Sequence, residues 1–522
     1  MTEPNSDRAV PVVATGLGSA RGVWIDEVAR FGGLPFAAPP VGDLRFRPPA
    51  PPAAWDGERD ATGFGHVCPQ NPSMLTALLG EEPETASEDC LYLNVWTTAP
   101  GDPEAALPVM VWIHGGGFEM GSGSSPMYHG EEFARSGVVL VSVNYRLGSL
   151  GFLELGHLDD RLAGSGNNGL LDQVAALEWV RDHIAAFGGD PRNVTIFGES
   201  AGAMSVSLLL TMPAAKGLFH RAIAQSGALT AARTPDQART DADEFIATLG
   251  ADSISELLCA PTEDLLAAHA AVAATRVGNP EAVIQSHGSP LAFLAFRPVA
   301  DSRAVPANPL GALAEGAAAG ISLICGTNLD EWKLFALMSP AAADDAALLE
   351  RMALIVDDPD KALEVYRQTY PECTPGDLES FFLTDEVFRI PAVQTADAQR
   401  RHAPVFQYRF DWRSPAWGGA IGAAHAVEIP FVFHCVDDPR LGVFIGEHPP
   451  EQLARRIHDA WVAFAATGVP TIAGDVEWLA LGAAESGRPV MLFNQTDDGG
   501  DELADDPESA TREFWESVRS TF

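Results

Sequence analysis

The chain has 522 residues, 46% of them hydrophobic, and a formal net charge of −38 from 33 Lys and Arg against 71 Asp and Glu. That length and apolar content supply a large core, whereas so negative a field repels phosphate backbones and anionic lipid surfaces and excludes nucleic acid and polybasic membrane binding. No apolar run approaches the roughly 18 residues a spanning helix needs, so no membrane span is expected.

The lysines are only Lys216, Lys333 and Lys361, an acidic, arginine-based composition that serves solubility or adaptation to high salt. Six cysteines stand at 68, 90, 259, 325, 373 and 435, none in a Cys-x-x-Cys pair, so zinc and thioredoxin-type chemistry have no support and the density is too low for a disulfide scaffold. The start, Met1 to Arg8, lacks the basic segment and apolar run of an export signal. The cytoplasm is the expected compartment, with secretion of an already processed form as the other reading.

The predicted elements follow in chain order. Pro35 to Pro52 is proline-rich and reads as extended surface loop. Pro108–Ile113 and Val138–Asn144 are short apolar runs that read as buried strands, Leu170–Phe187 has helical spacing, Asn193–Phe197 reads as a strand, and Ala203–Leu210 as the first part of a helix. The Ala-rich stretch 231–300 reads as a helical insertion over the sheet within one domain covering 1–522. Ile321–Cys325 and Val405–Phe410 read as further strands, and Glu451–Thr467 as an amphipathic helix stopped by Gly468. Buried strands alternating with helices predict an α/β fold with a mostly parallel sheet covered on both faces. The acidic run Asp497 to Glu502 lacks the ligand spacing of a calcium loop and reads as a solvated turn.

The chemistry is carried by two glycine-bearing turns. Gly198-Glu199-Ser200-Ala201-Gly202 fits Gly-x-Ser-x-Gly between a strand and a helix start, the context in which a sharp turn exposes a serine nucleophile and glycines are needed where the chain doubles back. A helix starting at that serine aims the Ala201 N–H at a developing oxyanion. His114-Gly115-Gly116-Gly117 follows an earlier strand and suits an oxyanion hole at Gly116 and Gly117; a phosphate cradle would continue into Lys-Ser/Thr, and here Phe118-Glu119 follows. Glu199 either satisfies the helix N-terminus or supports an imidazolium electrostatically.

A serine nucleophile needs a histidine base and a carboxylate to orient it, in the order Ser, Asp/Glu, His for this fold class. Of the eight histidines after Ser200, His425 follows the Gly- and Ala-rich loop 418–424 that could present an imidazole at the sheet edge. His434 follows an aromatic run and reads as packed, and His458 lies on a helix. For the acid, Asp330 and Glu331 both follow the strand Ile321–Cys325 and its turn, and the residues alone leave the two open.

The motifs together resemble the type B carboxylesterases, a family that includes cholinesterases and bacterial p-nitrobenzyl-type esterases. The likeness runs from Phe31-Gly32-Gly33-Leu34-Pro35-Phe36 and Pro39 to Phe46 through Ser87 to Asn94, Asn144-Tyr145-Arg146-Leu147-Gly148, Gly169 to Gln173, the serine turn and Ala224-Gln225-Ser226-Gly227. It ends in Gly326 to Glu331 and His425 to Phe431. It implies an α/β-hydrolase fold and ester hydrolysis, Glu331 as the acid, His425 as the base, a disulfide between Cys68 and Cys90, and ion pairs Arg45–Glu88 and Arg146–Asp172. A reducing compartment would hold that disulfide open. The segment between Cys68 and Cys90 has no tryptophan to receive a quaternary ammonium, which argues against choline esters.

The expected reaction is acyl transfer from a small-molecule ester through Ser200, needing no cofactor and no metal. The other readings are an amidase or carbamate hydrolase with the same triad and a binding module, the latter opposed by the complete set of groups. Phe118, Phe296, Leu334 and Phe335 are the candidate pocket residues. A monomer or a homodimer is expected.

Overall fold

A computed structural model describes residues 8–72, 84–337, 341–472, 476–482, 487–494 and 501–519. Among these, a small sheet is formed by β1 (Val12–Thr15), β2 (Gly18–Arg21) and β5 (Glu58–Asp60). A large one contains β3 (Val23–Ile25), β4 (Val28–Pro35), β6 (Tyr92–Thr97), β7 (Leu107–Ile113), β8 (Val139–Val143), β9 (Gly189–Glu199), β10 (Arg221–Gln225), β11 (Ser322–Asn328), β12 (Val405–Phe410), β13 (Pro489–Phe493) and β14 (Glu502–Asp505). Its order is β3-β4-β6-β8-β7-β9-β10-β11-β12-β13-β14, parallel from β8 to β13 and antiparallel at both edges.

The central strands are apolar along their length because both faces are covered. Val109, Val111 and Ile113 of β7 enter one core with α1 (Asn168–His183) and α2 (Ala201–Leu209). Met110 and Trp112 enter the other with Ile457, Trp461 and Phe464 of α7 (Glu451–Thr467). The expected strands and helices are thus found, with ends moved by a few residues.

Four helices occupy the stretch read as an insertion: α3 (Pro235–Leu249), α4 (Ile254–Cys259), α5 (Thr262–Val277) and α6 (Pro280–His287). Phe245, Leu257, Leu265 and Phe296 join the same core as α1 and α2. The buried Asp241 carboxylate draws α3, α5 and α6 together by accepting from Arg233, Arg276 and His287.

Both ion pairs implied by the resemblance are present. Arg45 pairs with Glu88, its Nε at 2.8 Å. Asp172, fully buried on α1, accepts from Arg146 N (3.0 Å), Nε (2.8 Å) and Nη2 (2.6 Å), while Arg146 Nη1 reaches the Arg47 carbonyl. The implied disulfide is not formed. Cys68 and Cys90 are free, buried thiols; the hydrogen bond between them and burial push the Cys90 thiol well up.

Of the acidic run near the C-terminus, residues 497–500 lie outside the described residues; Asp501 is buried against Arg456 (2.6 Å), and Glu502, exposed, opens the edge strand β14. Among the described residues, no helix is long and apolar enough to cross a membrane.

Removing one partner of a buried ion pair leaves an uncompensated charge. Arg146→Met should therefore destabilise the fold by about 3–5 kcal/mol, and adding Asp172→Leu should recover part of that loss. Equal urea midpoints for the single and double variants would refute this.

Candidate active site

The serine turn is built from backbone contacts. At the end of β9, Ser200 adopts φ 55° and ψ −124°, a region that costs a non-glycine residue about 1–3 kcal/mol. A Cβ on Gly202 would stand 1.9 Å from the Ile113 carbonyl oxygen, and one on Gly198 would stand 2.5 Å from the same atom. Only glycine lets the first turn of α2 lie this close to β7. The turn is held by Ser200 N donating to the Gln225 carbonyl at 2.9 Å. Ser200 itself remains partly exposed.

The glycine run after β7 lies against this turn: a Cβ on Gly115 would meet Glu199 O at 2.9 Å and Ser200 Cβ at 3.1 Å. Gly116 (φ 103°) and Gly117 (φ 64°) are left-handed, and Glu119 N and Met120 N close the turn by donating to Gly116 O at 3.0 and 3.1 Å. The N–H groups of Gly116 and Gly117 find no acceptor among the described residues. His114 is buried, stacked on Tyr145 with ring centroids 4.5 Å apart; burial lowers its pKa to about 4, so it enters the site as a neutral packing group.

The structure separates the two adjacent carboxylates that the residues alone left open. Glu331 is fully buried; its Oε1 accepts from Asn328 N (2.7 Å) and its Oε2 is 2.7 Å from His425 Nδ1. Asp330 points the other way. It pairs with Lys333 (3.1 Å) and Arg413 (2.9 Å) and accepts from Ala423 N (3.0 Å). Glu331 therefore holds the imidazole, and Asp330 holds the loop that delivers it.

His425 Nε2 makes no hydrogen bond but stands 3.1 Å from Glu199 Oε1, on the residue before Ser200. Burial works to lower the His425 pKa, and the carboxyls of Glu199, Glu331 and Glu428 outweigh it, raising it to about 9. Burial also pushes the Glu199 carboxyl well above its ordinary range, against the pull of His425. Each group thus acts on the other's proton affinity. Of the two readings of Glu199, the geometry favours electrostatic contact with the imidazole.

Two residues that the motif reading did not single out belong to the site. Glu428 is fully buried behind His425; it accepts from Asn328 Nδ2 at 2.6 Å and Gln225 Nε2 at 3.2 Å, and burial raises its pKa to about 7. Only its spacing from His425 could have signalled it. Phe388 lies 4.7 Å from the His425 ring, presented by a π-helical turn at Asp385–Arg389. Such turns are frequent at functional sites, yet nothing in the local sequence marks this one.

Of the four pocket candidates, Phe335 is at the site, 5.2 Å from the His425 ring and partly exposed, and Leu334 beside it is partly buried against the core. Phe118 and Phe296 are core residues and not pocket wall. Both are fully buried, Phe118 against Phe152 and Phe296 against Phe245 and His269. Leu294 is the residue of that segment that reaches the glycines, 2.9 Å from where a Gly117 Cβ would stand. The other two histidines weighed are occupied elsewhere: His434 pairs with Glu451 (2.7 Å), and His458 is buried with Nδ1 2.9 Å from the Val432 carbonyl oxygen.

Known proteins give the same picture. A profile of the Carboxylesterase family matches residues 9–515. The chain is 41% identical over 512 residues to the para-nitrobenzyl esterase of Bacillus subtilis, covering 96% of this chain and 98% of that one. It is 36% identical over 476 residues to the phenmedipham hydrolase of Pseudarthrobacter oxydans, covering 88% and 91%. Among solved structures, a Geobacillus stearothermophilus carboxylesterase superposes with a TM-score of 0.84 at 39% identity, covering 97% of this chain and 100% of that one. With the serine turn, the glycine run and the buried carboxylate–imidazole pair in one place, these similarities establish that the chain belongs to the carboxylesterase family, serine hydrolases of carboxylic esters with the α/β-hydrolase fold.

Proposed function

We propose that Ser200 is the nucleophile, His425 its base, Glu331 the orienting acid, and the N–H groups of Gly116, Gly117 and Ala201 the oxyanion hole. The observation that carries this reading is the division of labour on one imidazole. Glu331 fixes Nδ1 at 2.7 Å, and Nε2 is left without a hydrogen bond beside the residue that precedes the serine.

His425 Nε2 takes the Oγ proton as Ser200 attacks the ester carbonyl. The oxyanion forms against backbone donors already aimed at it, each worth about 3 kcal/mol in such sites. Glu331, and Glu199 with it, stabilises the imidazolium, which then protonates the departing alcohol. Water activated by the same nitrogen releases the acid and frees Ser200.

The walls nearest these groups, Phe335, Phe388 and Leu294, are apolar, which supports esters with an aromatic or other apolar group. The name of the para-nitrobenzyl esterase relative points the same way.

Stoichiometric labelling by paraoxon, abolished in Ser200→Ala, is the expected outcome of mass spectrometry on the intact protein; an unlabelled native chain would overturn the assignment. Glu331→Gln should lower kcat by about 10⁴-fold through the wrong imidazole tautomer, whereas Asp330→Asn should act mainly on stability.

His425 must be neutral to accept the proton, and its pKa is raised. Activity is therefore lost as pH falls, along a kcat/KM limb centred above 6.5, the ordinary histidine value. Glu199→Gln removes the strongest upward charge and should move that limb toward acid pH. A pH profile in which the limb stays put would refute the coupling.

A further inference from the structure

Gly116 and Gly117 have no side chains of their own to hold their N–H groups in place, and left-handed glycine backbone is permissive. What aims them must come from their neighbours. The turn leans on the helical insertion at three points, and two of them involve one residue of α5, His269.

The first point is Glu119, which follows the glycines and closes their turn. Its Oε1 is 3.2 Å from His269 Nε2, an ion-pair distance outside hydrogen-bond alignment, and both side chains are largely shielded, 15% and 6% exposed. The second is Gly148. Its N–H donates to the Phe118 carbonyl at 2.7 Å, and its own surface is closed by the His269 ring, whose Cε1 would stand 2.6 Å from a Cβ there. The third is Leu294 on Gly117. Phe296, 4.7 Å away and edge-on, backs the His269 ring from the insertion's own core. At the far end of the turn, Gln70 exchanges two hydrogen bonds with Gly121 (2.8 and 3.0 Å), and its neighbour Asn71 donates to Leu266 O of α5 at 3.1 Å.

We propose that Glu119 and His269 form a brace through which α5 sets the aim of the oxyanion N–H groups, making His269 a positioning residue for ester hydrolysis. The inference rests on the oxyanion role assigned above. Neither side chain touches the reacting atoms. They act on where the donors stand, and a displacement of about 1 Å at such a site is worth up to about 100-fold in rate.

The test uses the full chain, a neutral p-nitrophenyl ester and an aryl trifluoromethyl ketone, whose hemiketal with the serine carries the oxyanion. Glu119→Ala and His269→Ala should each lower kcat by about 10- to 100-fold with KM nearly unchanged, and weaken ketone binding by a similar factor. The double variant should be no worse than the weaker single one, and His269→Gln, which restores a donor, should recover part of the loss.

Glu119 is partly exposed, so Glu119→Ala with a native Tm decides the matter even if His269→Ala does not fold. Full kcat and ketone affinity in Glu119→Ala would overturn the brace, as would a loss confined to KM, which would make the pair a pocket wall. Paraoxon titration separates the two levels: an unlabelled native chain sinks the serine assignment, whereas variants that label and turn over like the native chain sink the brace alone.

Discussion

The contact on which the site depends is between two stretches of backbone. The Ile113 carbonyl, at the end of β7, occupies the space where Gly198 and Gly202 would carry side chains. That one approach fixes the serine turn relative to the strand that runs on into Gly115 to Gly117. Ser200 and the N–H groups of Gly116 and Gly117, the proposed nucleophile and oxyanion donors, are thereby positioned by main chain before any side chain contributes, in a region where a methyl group has no room. The strain at Ser200 persists because Gly227 lies under it, 2.4 Å from a would-be Cβ to the Ser200 carbonyl oxygen, and because Gln225 accepts its N–H. An over-determined surround of this kind is what lets an unfavourable φ survive.

Electrostatics completes what the backbone begins. Three carboxyls, Glu199, Glu331 and Glu428, share a buried space with one imidazole. Burial raises the Glu428 carboxyl to about 7, with Glu331 adding to it, against the hydrogen bond from Asn328. Burial raises the Glu199 carboxyl well above its ordinary range, against the pull of His425. Glu331 accepts from Asn328 N and holds Nδ1 of the imidazole, whereas Glu199 stands beside Nε2, the nitrogen proposed to gain and lose a proton.

Much of this was legible in the sequence, for identifiable reasons. Strands β7, β8, β9, β11 and β12 announced themselves because a parallel sheet covered on both faces needs continuous apolar runs, whereas β10, whose run Arg221–Gln225 is short and ends in polar residues, did not. The serine turn and the glycine run did so because their backbone geometry tolerates few residue types. Asp330 and Glu331 could not be told apart by inspection: they are neighbours of the same chemistry, and which one meets His425 depends on how a turn after β11 faces a loop some ninety residues away. Phe388 was illegible for the same reason, since a π-helical turn redirects it from a helix whose apolar residues all look alike. Phe118 misled because position next to a motif says nothing about which side of the chain an aromatic ring will take, and Phe296 is buried in the insertion's core. The disulfide was a property of the resemblance, and the thiols are free in this structure.

The two halves of the site are therefore held by different means. On the sheet side, backbone packs on backbone, and substitutions there meet hard walls. On the insertion side, α5 and the segment around Leu294 reach the glycines through side chains: a carboxylate–imidazole contact, a ring face and a leucine tip. Such contacts deform gradually and can be exchanged residue by residue without unseating the strands. The sheet can thus keep one chemistry constant while the insertion, resting on the same glycines, adjusts how well the donors are aimed and which ester fits against them.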